Sequence, residues 1–440
     1  MPVFRPAWFR SRFAAAIALA IAGGAMTCTA QAATQQELEA QLQAVAQQLE
    51  VLKTEMAKLK VQQAEQQVQT QQSQTQQGQQ TQATQLAQSS NTKSPSLFGY
   101  GELNYSNPRD NTANASADLA RFVIGLGYQF DEKTHLNSEL EIEHAVSSSD
   151  DPGEVEVEQA YIDHEIRDGV FLKAGLFLIP SGLLNENHEP TRYYGVFRNL
   201  VETSIIPTTW REGGIAIQGN TGSGLRWDAG LTTGFDLSKW NFSSEGEGRE
   251  SPLGSIHQEL ALARAKDASV FAAVNYTGIN NLKLGASLFT GGASQGQLNI
   301  SSHVTLWETH GRWTPGAFDV AALYARGHIS NTAAINTIMV GNPTLMPESF
   351  FGWYVQGAYR LWHKDHYSFS PFVRYERLNT ASSFAGIQAD LTPTVLSDQQ
   401  AWTVGLNLNI ADGVVLKADY LSLKNSDNSD RFDLGLGYQF

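Results

Sequence analysis

Arg431-Phe432-Asp433-Leu434-Gly435-Leu436-Gly437-Tyr438-Gln439-Phe440 alternates with a period of two. Phe432, Leu434, Leu436, Tyr438 and Phe440 are apolar, and every residue between them is polar or glycine. A strand with one face against lipid and the other against water reads this way. Nearly the same string, RFVIGLGYQF, occupies Arg121–Phe130, with eight of ten residues identical. Two such strands ending Tyr-Gln-Phe predict a barrel with an aromatic girdle at one rim.

Outward from these strings, the pattern repeats. Leu225, Trp227, Ala229 and Leu231 alternate with Arg226, Asp228 and Gly230; Leu282, Leu284, Ala286 and Leu288 with Lys283, Gly285 and Ser287; Trp402, Val404, Leu406, Leu408 and Ile410 with Thr403, Gly405, Asn407 and Asn409. Sixteen strands fit between residues 97 and 440, an even number, as a bacterial barrel requires. Alternate connections are short, such as Asn280-Asn281 and Ala411-Asp412-Gly413. The others are long and polar, with 181–209 and 237–269 the longest. Short periplasmic turns and long outer loops are the asymmetry of an outer-membrane barrel, and they place both ends of the barrel on the periplasmic side. The mean hydropathy of −0.27 agrees with this, because only every second strand residue has to be apolar. The fold class is therefore an all-β, 16-stranded antiparallel transmembrane β-barrel.

Residues 1–32 read as a signal peptide: Arg5, Arg10 and Arg12 precede the apolar run Phe13–Ala22, and Ala30-Gln31-Ala32 supplies small residues for cleavage. Cys28, the single cysteine, lies inside that segment, so the processed chain has no disulfide, thiolate nucleophile or thiolate metal site. Residues 33–72 form a predicted α-helical coiled coil, with Leu38, Val45, Leu52 and Leu59 at one heptad position and Leu42, Leu49 and Met56 at the other. Residues 73–96 are a Gln/Ser/Thr-rich linker, and 97–440 are the barrel. Loss of the three signal arginines takes the net charge from −14 to −17; residues 33–96 carry −1, which leaves −16 on the barrel. Such a balance excludes nucleic acid as a partner.

A sixteen-stranded barrel is too wide to be filled by its own wall and leaves a channel. The third loop, 181–209, has too many apolar residues for a solvated outer loop, so it is expected to fold into the lumen and narrow the pore. Glu186, His188, Glu189, Arg192, Arg198 and Glu202 are its candidate constriction residues. By strand phase, Arg121, Arg374, Arg431, Glu139, Glu141 and Glu143 are expected on the pore wall, with an acidic row and a basic group setting up a transverse field. Catalysis is not expected: His188 near Asn187 and Ser181 lacks a recognised motif. His135, His144 and His164 lack metal-ligand spacing, so neither metal nor cofactor is expected.

The stretch Gly175–Gly214, GLFLIPSGLLNENHEPTRYYGVFRNLVETSIIPTTWREGG, resembles outer-membrane porins of the phosphate-selective porin O and P type, a resemblance that covers about 97–440. It implies a homotrimer of sixteen-stranded barrels with the third loop inside each pore, and in those porins a basic constriction binds anions. Here the matching region carries Arg192, Arg198 and Arg211 among Glu186, Glu189, Glu202 and Glu212, and no lysine. The expectation is a passive porin in the Gram-negative outer membrane, surrounded by outer-membrane lipid, with its coiled coil in the periplasm. The alternative is an envelope-tethering barrel that engages a cell-wall or periplasmic partner through residues 33–72. A lipid or ester hydrolase is the third reading.

Overall fold

The computed structural model describes residues 95–244, 246–388, 391–424 and 430–440. The signal peptide, the heptad seam and nearly all of the linker fall outside these residues. Seventeen strand segments are present among them: β1 Ser96–Pro108, β2 Ser116–Gln129, β3 Thr134–Glu143, β4 Val155–Arg167, β5 Val170–Leu178, β6 Arg211–Asn220, β7 Leu225–Thr232, β8 Ser269–Ile279, β9 Leu282–Gly292, β10 His303–Trp313, β11 Phe318–Ile329, β12 Ser349–Tyr359, β13 Trp362–Lys364, β14 Tyr367–Ser383, β15 Gln399–Ala411, β16 Val414–Lys424 and β17 Arg431–Gln439. Both β12 and β13 pair with β14, so they are one stave interrupted at Arg360 and Leu361, and the barrel has sixteen staves. All pairings are antiparallel between neighbours in sequence, and β1 pairs with both β2 and β17 to close the cylinder.

The two copies of the opening motif are the strands on either side of β1. Leu436 faces Leu103 and Leu126 faces Leu97, so the copies lie staggered along the same strand. The seam is completed by paired backbone hydrogen bonds between Gly99 and Phe440, at 3.0 and 2.9 Å.

Aromatic side chains on the outer face form two belts. One follows the short-turn end and includes Phe130, Trp313, Phe318, Tyr359, Trp362, Tyr367 and Phe440. The other crosses consecutive staves through Trp307, Tyr324, Trp353, Tyr375 and Trp402, with ring centroids 5.4 Å apart for Trp307–Tyr324, 5.4 Å for Trp353–Tyr375 and 4.8 Å for Tyr375–Trp402. Six residues separate Trp307 from Trp313, and eight separate Tyr367 from Tyr375. At ~3.4 Å per residue that is roughly 20–27 Å of strand, the scale of a lipid-facing band ~25 Å tall.

The barrel also has an apolar core inside its long-loop end. Trp210, Phe235 and Phe289 pack with centroids 4.6–5.4 Å apart. Leu237, Trp240, Leu253, Ile256, Ile335 and Met346 from the outer loops join inward residues of β8–β12 in the same cluster. The strand β7 therefore stops at Thr232, short of the loop expected from 237, and the chain turns inward to bury Phe235 and Leu237. Trp210→Ala removes the centre of this cluster and should destabilise the barrel by about 3–5 kcal/mol, read as a lower denaturant midpoint.

Candidate functional site

Loop 3, residues 179–210 between β5 and β6, leaves the rim and lies along the inner wall. Its anchors run round the barrel in sequence order. Tyr100 of β1 places its hydroxyl 2.7 Å from His188 Nε2, and the Thr191 hydroxyl donates to Gln439 Oε1 on β17 at 2.7 Å. The Tyr193 hydroxyl donates to Glu102 at 2.7 Å, and Lys417 of β16 sits 3.6 Å above the Tyr193 ring. The Val196 amide donates to Asp419 at 2.5 Å, and the Leu200 amide donates to Glu376 of β14 at 2.6 Å. Asn407 of β15 donates to the Tyr193 carbonyl and Arg374 to the Tyr194 carbonyl, each at 3.1 Å. These contacts satisfy loop backbone that would otherwise be buried without partners. Gly352 lets the turn Val201–Ile205 rest on β12, because a Cβ there would come within 2.9 Å of Ile205 and 3.0 Å of Val201.

The six loop residues singled out from sequence separate into distinct roles. Glu202 is buried and accepts from the Leu183 and Leu184 amides at 2.7 Å each, Asn199 at 3.0 Å and the Tyr354 hydroxyl at 2.8 Å. Burial raises its pKa, an effect the hydrogen bonds oppose. It is an internal anchor of the loop rather than a charge presented to the channel. His188 is likewise buried, between Tyr100, the Asn185 carbonyl and Glu158. Burial disfavours its imidazolium, but the Glu158 carboxylate outweighs burial and raises its pKa. Arg198 donates to the Thr208 and Thr209 hydroxyls at 2.9 and 2.8 Å and is also enclosed. Glu189 and Arg192 are half-buried in one turn, closed by the Arg192 amide on the Glu189 carbonyl at 2.9 Å. Glu186 stays accessible and accepts from Arg226 of β7 at 2.7 Å. Ser181 and His188 are not brought together as a catalytic pair: the Ser181 hydroxyl meets Ser287 at 3.1 Å.

All six wall residues sit on the inner face, from mid-strand at Glu139 and Arg374 toward the long-loop end. Arg121 pairs with Glu102 at 2.8 Å and Glu141 at 3.4 Å, Arg374 with Glu376 at 2.8 Å, and Arg431 with Asp433 at 2.8 Å. Glu139 accepts from Gln159 at 2.9 Å, and Glu143 lies in register opposite Arg121. The expected transverse field is replaced by local pairs. The acids of β3 and β4 lie beneath loop 3, and the basic groups sit beside their own carboxylates.

Sequence reasoning gave no special weight to a basic arc near the short-turn ends of β7, β9 and β10: Arg226, Lys283 and Arg312. Arg312 makes a two-pronged contact with Asp319, at 2.9 and 2.6 Å. Arg226 bridges Glu186 and Asp228. No ion pair is made by Lys283 among the described residues. In these pairs the cation is the more exposed partner: Arg226 at 31% against Glu186 at 24% and Asp228 at 5%, Arg312 at 39% against Asp319 at 12%, and Arg431 at 31% against Asp433 at 0%. Arg211 at the outer end of β6 is the exception, more buried than its partners Glu156 and Glu259. Arg226 and Lys283 were legible as inward by phase; Arg312 was not, because β10 mixes polar and apolar residues on both faces.

No protein-family model matches the chain. Among solved structures, the fold resembles OmpF of Salmonella typhi in complex with daunomycin (TM-score 0.54, 13% identity, 79% of this chain and 97% of that one). It also resembles an anion-selective porin of Comamonas acidovorans (TM-score 0.51, 12% identity, 79% and 99%). A loop-deletion form of OmpT, an outer-membrane protein of Vibrio cholerae, matches at TM-score 0.50 and 12% identity over 79% and 99%. At these identities the likeness establishes a shared sixteen-stranded barrel. An Aquifex aeolicus (strain VF5) protein described as uncharacterized is 30% identical over 351 residues, covering 77% of this chain and 78% of its own. The chain belongs to the same family as that Aquifex aeolicus protein.

Proposed function

We propose that this barrel is an outer-membrane porin through which small hydrophilic solutes or ions diffuse passively, narrowed by loop 3. The observation that carries the reading is the run of loop 3 anchors along the inner face of β1, β4, β12, β14, β15, β16 and β17, while Arg226, Lys283 and Arg312 of the same lumen stay partly exposed to solvent. A barrel built as a plug would bury those charges. Because the cations of the lumen pairs are the more exposed partners, the pore favours anions although the barrel's net charge is −16. The neighbouring Comamonas porin is described as anion-selective, at an identity that carries fold alone. The phosphate selectivity that the resemblance implied has weaker support, since loop 3 brings no lysine.

The aromatic belts suit lipid contact on the outside, and the barrel is read as sitting in a Gram-negative outer membrane. A homotrimer follows from the porin O and P resemblance and from the heptad seam of residues 33–72, placed in the periplasm. The function is tested by liposome swelling with neutral sugars of increasing size. Swelling that falls off with solute size supports a narrowed channel, and no swelling with the smallest sugar contradicts it. The heptad seam also supports the tether reading, and deletion of residues 33–94 separates the two. Swelling is expected to survive that deletion; intact swelling with a leaky envelope in cells would add a tethering role through a cell-wall or periplasmic partner.

A further inference from the structure

The first turn of loop 3 delivers His188 to the most acid-rich part of the wall. Glu139 pairs with Gln159 in register, and the pairing of β3 with β4 slips immediately after, between Glu139 and Leu140. This irregularity turns both Glu158 and Gln159 inward, and both are buried. Glu139, Glu158 and His188 consequently converge from three elements, with one ligating atom of each within 4.8 Å of the others. Nitrogen and carboxylate ligands at ~2.0–2.2 Å from a zinc ion stand about 3.3–3.6 Å apart in a tetrahedral site, so side-chain rotation that draws the three atoms inward would complete a common centre.

The hydrogen bonding of the cluster points the same way. Glu158 is fully buried, yet its Oε1 has no hydrogen-bond partner among the described residues, and the nearest cationic atom is His188 Nε2 at 3.4 Å. Glu141 Oε1 and Glu189 Oε2 nearby are likewise buried without hydrogen bonds. Tyr100 has one hydroxyl proton, but its oxygen lies 2.7 Å from His188 Nε2 and 3.1 Å from Glu158 Oε2, so it cannot donate fully to both. His188 Nδ1 lies 2.9 Å from the Asn185 carbonyl, which only accepts. Nδ1 therefore keeps its proton, and a bound cation would replace the Nε2 proton as the positive partner of Glu158. A ring nitrogen tied to a backbone carbonyl with the other left to coordinate is the usual arrangement of a ligating histidine. Gln159 steers the Glu139 carboxylate by donating to Oε2 at 2.9 Å, as an outer-shell donor does.

We propose that Glu139, Glu158 and His188 bind one divalent transition-metal cation, Zn²⁺ or Mn²⁺ by the mixed nitrogen and carboxylate donor set, and that this ion staples loop 3 to β3 and β4. One imidazole with two carboxylates suits these ions better than Mg²⁺ or Ca²⁺, which take oxygen ligands. The ion is enclosed, so its role is to fix the loop.

The test uses the purified full-length chain, unfolded with EDTA, refolded into detergent with MnCl₂ or ZnCl₂, desalted and measured by elemental mass spectrometry. Wild type should retain about one ion per chain. His188→Gln and Glu158→Gln should lose it, Gln159→Ala should weaken it by roughly 10–100-fold, and the exposed-loop variant Glu154→Gln should bind as wild type. Heat-modifiable gel mobility reports the folded barrel in each case, and Glu139→Gln carries the test if Glu158→Gln does not fold. Bound Mn²⁺ should also show nitrogen coupling in its electron-spin-echo spectrum, lost in His188→Gln. Failure of wild type to retain either ion, or equal retention by folded His188→Gln, overturns the proposal and marks the cluster as a proton-sharing network. Neither result bears on whether the barrel conducts.

Discussion

Glu202→Ala should free loop 3 from the wall and widen the channel. The carboxylate holds both ends of the loop's inner turn, since it accepts from Leu183 and Leu184 near the loop's start and from Asn199 near its end, and Tyr354 ties the assembly to β12. Removing it leaves four donors without their acceptor in a buried site. Each such orphan costs about 1–3 kcal/mol, and partial release of the loop limits the total to roughly 3–5 kcal/mol. Tyr354→Phe deletes a single donor and should cost only about 1 kcal/mol. The expected readout is a lower urea midpoint together with a larger and noisier single-channel conductance. A Glu202→Ala protein that keeps both the wild-type midpoint and the wild-type conductance would show that the loop is not held by this residue.

Lys283→Glu combined with Arg312→Gln should shift ion selectivity toward cations by on the order of tenfold, equivalent to about 1.4 kcal/mol between the two ions. Both side chains lie on the inner face near the short-turn end of the lumen. Lys283 makes no ion pair among the described residues, and Arg312 is the most exposed cation of the lumen pairs given above. The acids that dominate the net charge contribute little there. Glu102, Glu139, Glu141, Glu158, Glu202 and Glu376 are all buried. Arg374→Ala with Arg431→Ala is the informative comparison: Arg374 is enclosed against Glu376, and Arg431 lies with its guanidinium 4.4 Å from the Phe197 ring. That double variant should move the permeability ratio less than Lys283→Glu with Arg312→Gln. A larger shift from the Arg374 and Arg431 pair would place the selectivity filter at the long-loop end instead.

The staves were legible because lipid imposes a period of two on every one of them. Leu231, Leu284, Leu288, Trp402 and Val404 are outward and exposed, as their phase required. The phase was lost where the inner face is also apolar. On β10 the inward residues include Val304 and Leu306, and on β11 they are Ala321, Leu323, Ala325 and Ile329, which meet the folded-in outer loops. On β4 the pairing slip at Glu158 and Gln159 broke the alternation itself. The apolar content of loop 3 foretold a loop that packs rather than one that floats in solvent, but it did not say which of its charged residues face the channel. Glu202, His188 and Arg198 looked like pore charges because they are polar residues in a loop; their burial depends on Tyr354, Tyr100 and the hydroxyls of Thr208 and Thr209, whose nearness follows from the path of the loop. The clustering of Glu139, Glu158 and His188 was hidden for the same reason, since its members come from two strands and a loop with no common spacing.

The most direct measurement is the current through the purified protein in a planar lipid bilayer under a salt gradient. Discrete conductance steps are expected, with a reversal potential of the sign of anion preference. A bilayer that stays silent at saturating protein would contradict the channel and leave a closed barrel, and steps with clear cation preference would contradict Arg226, Lys283 and Arg312 as the groups that set its selectivity.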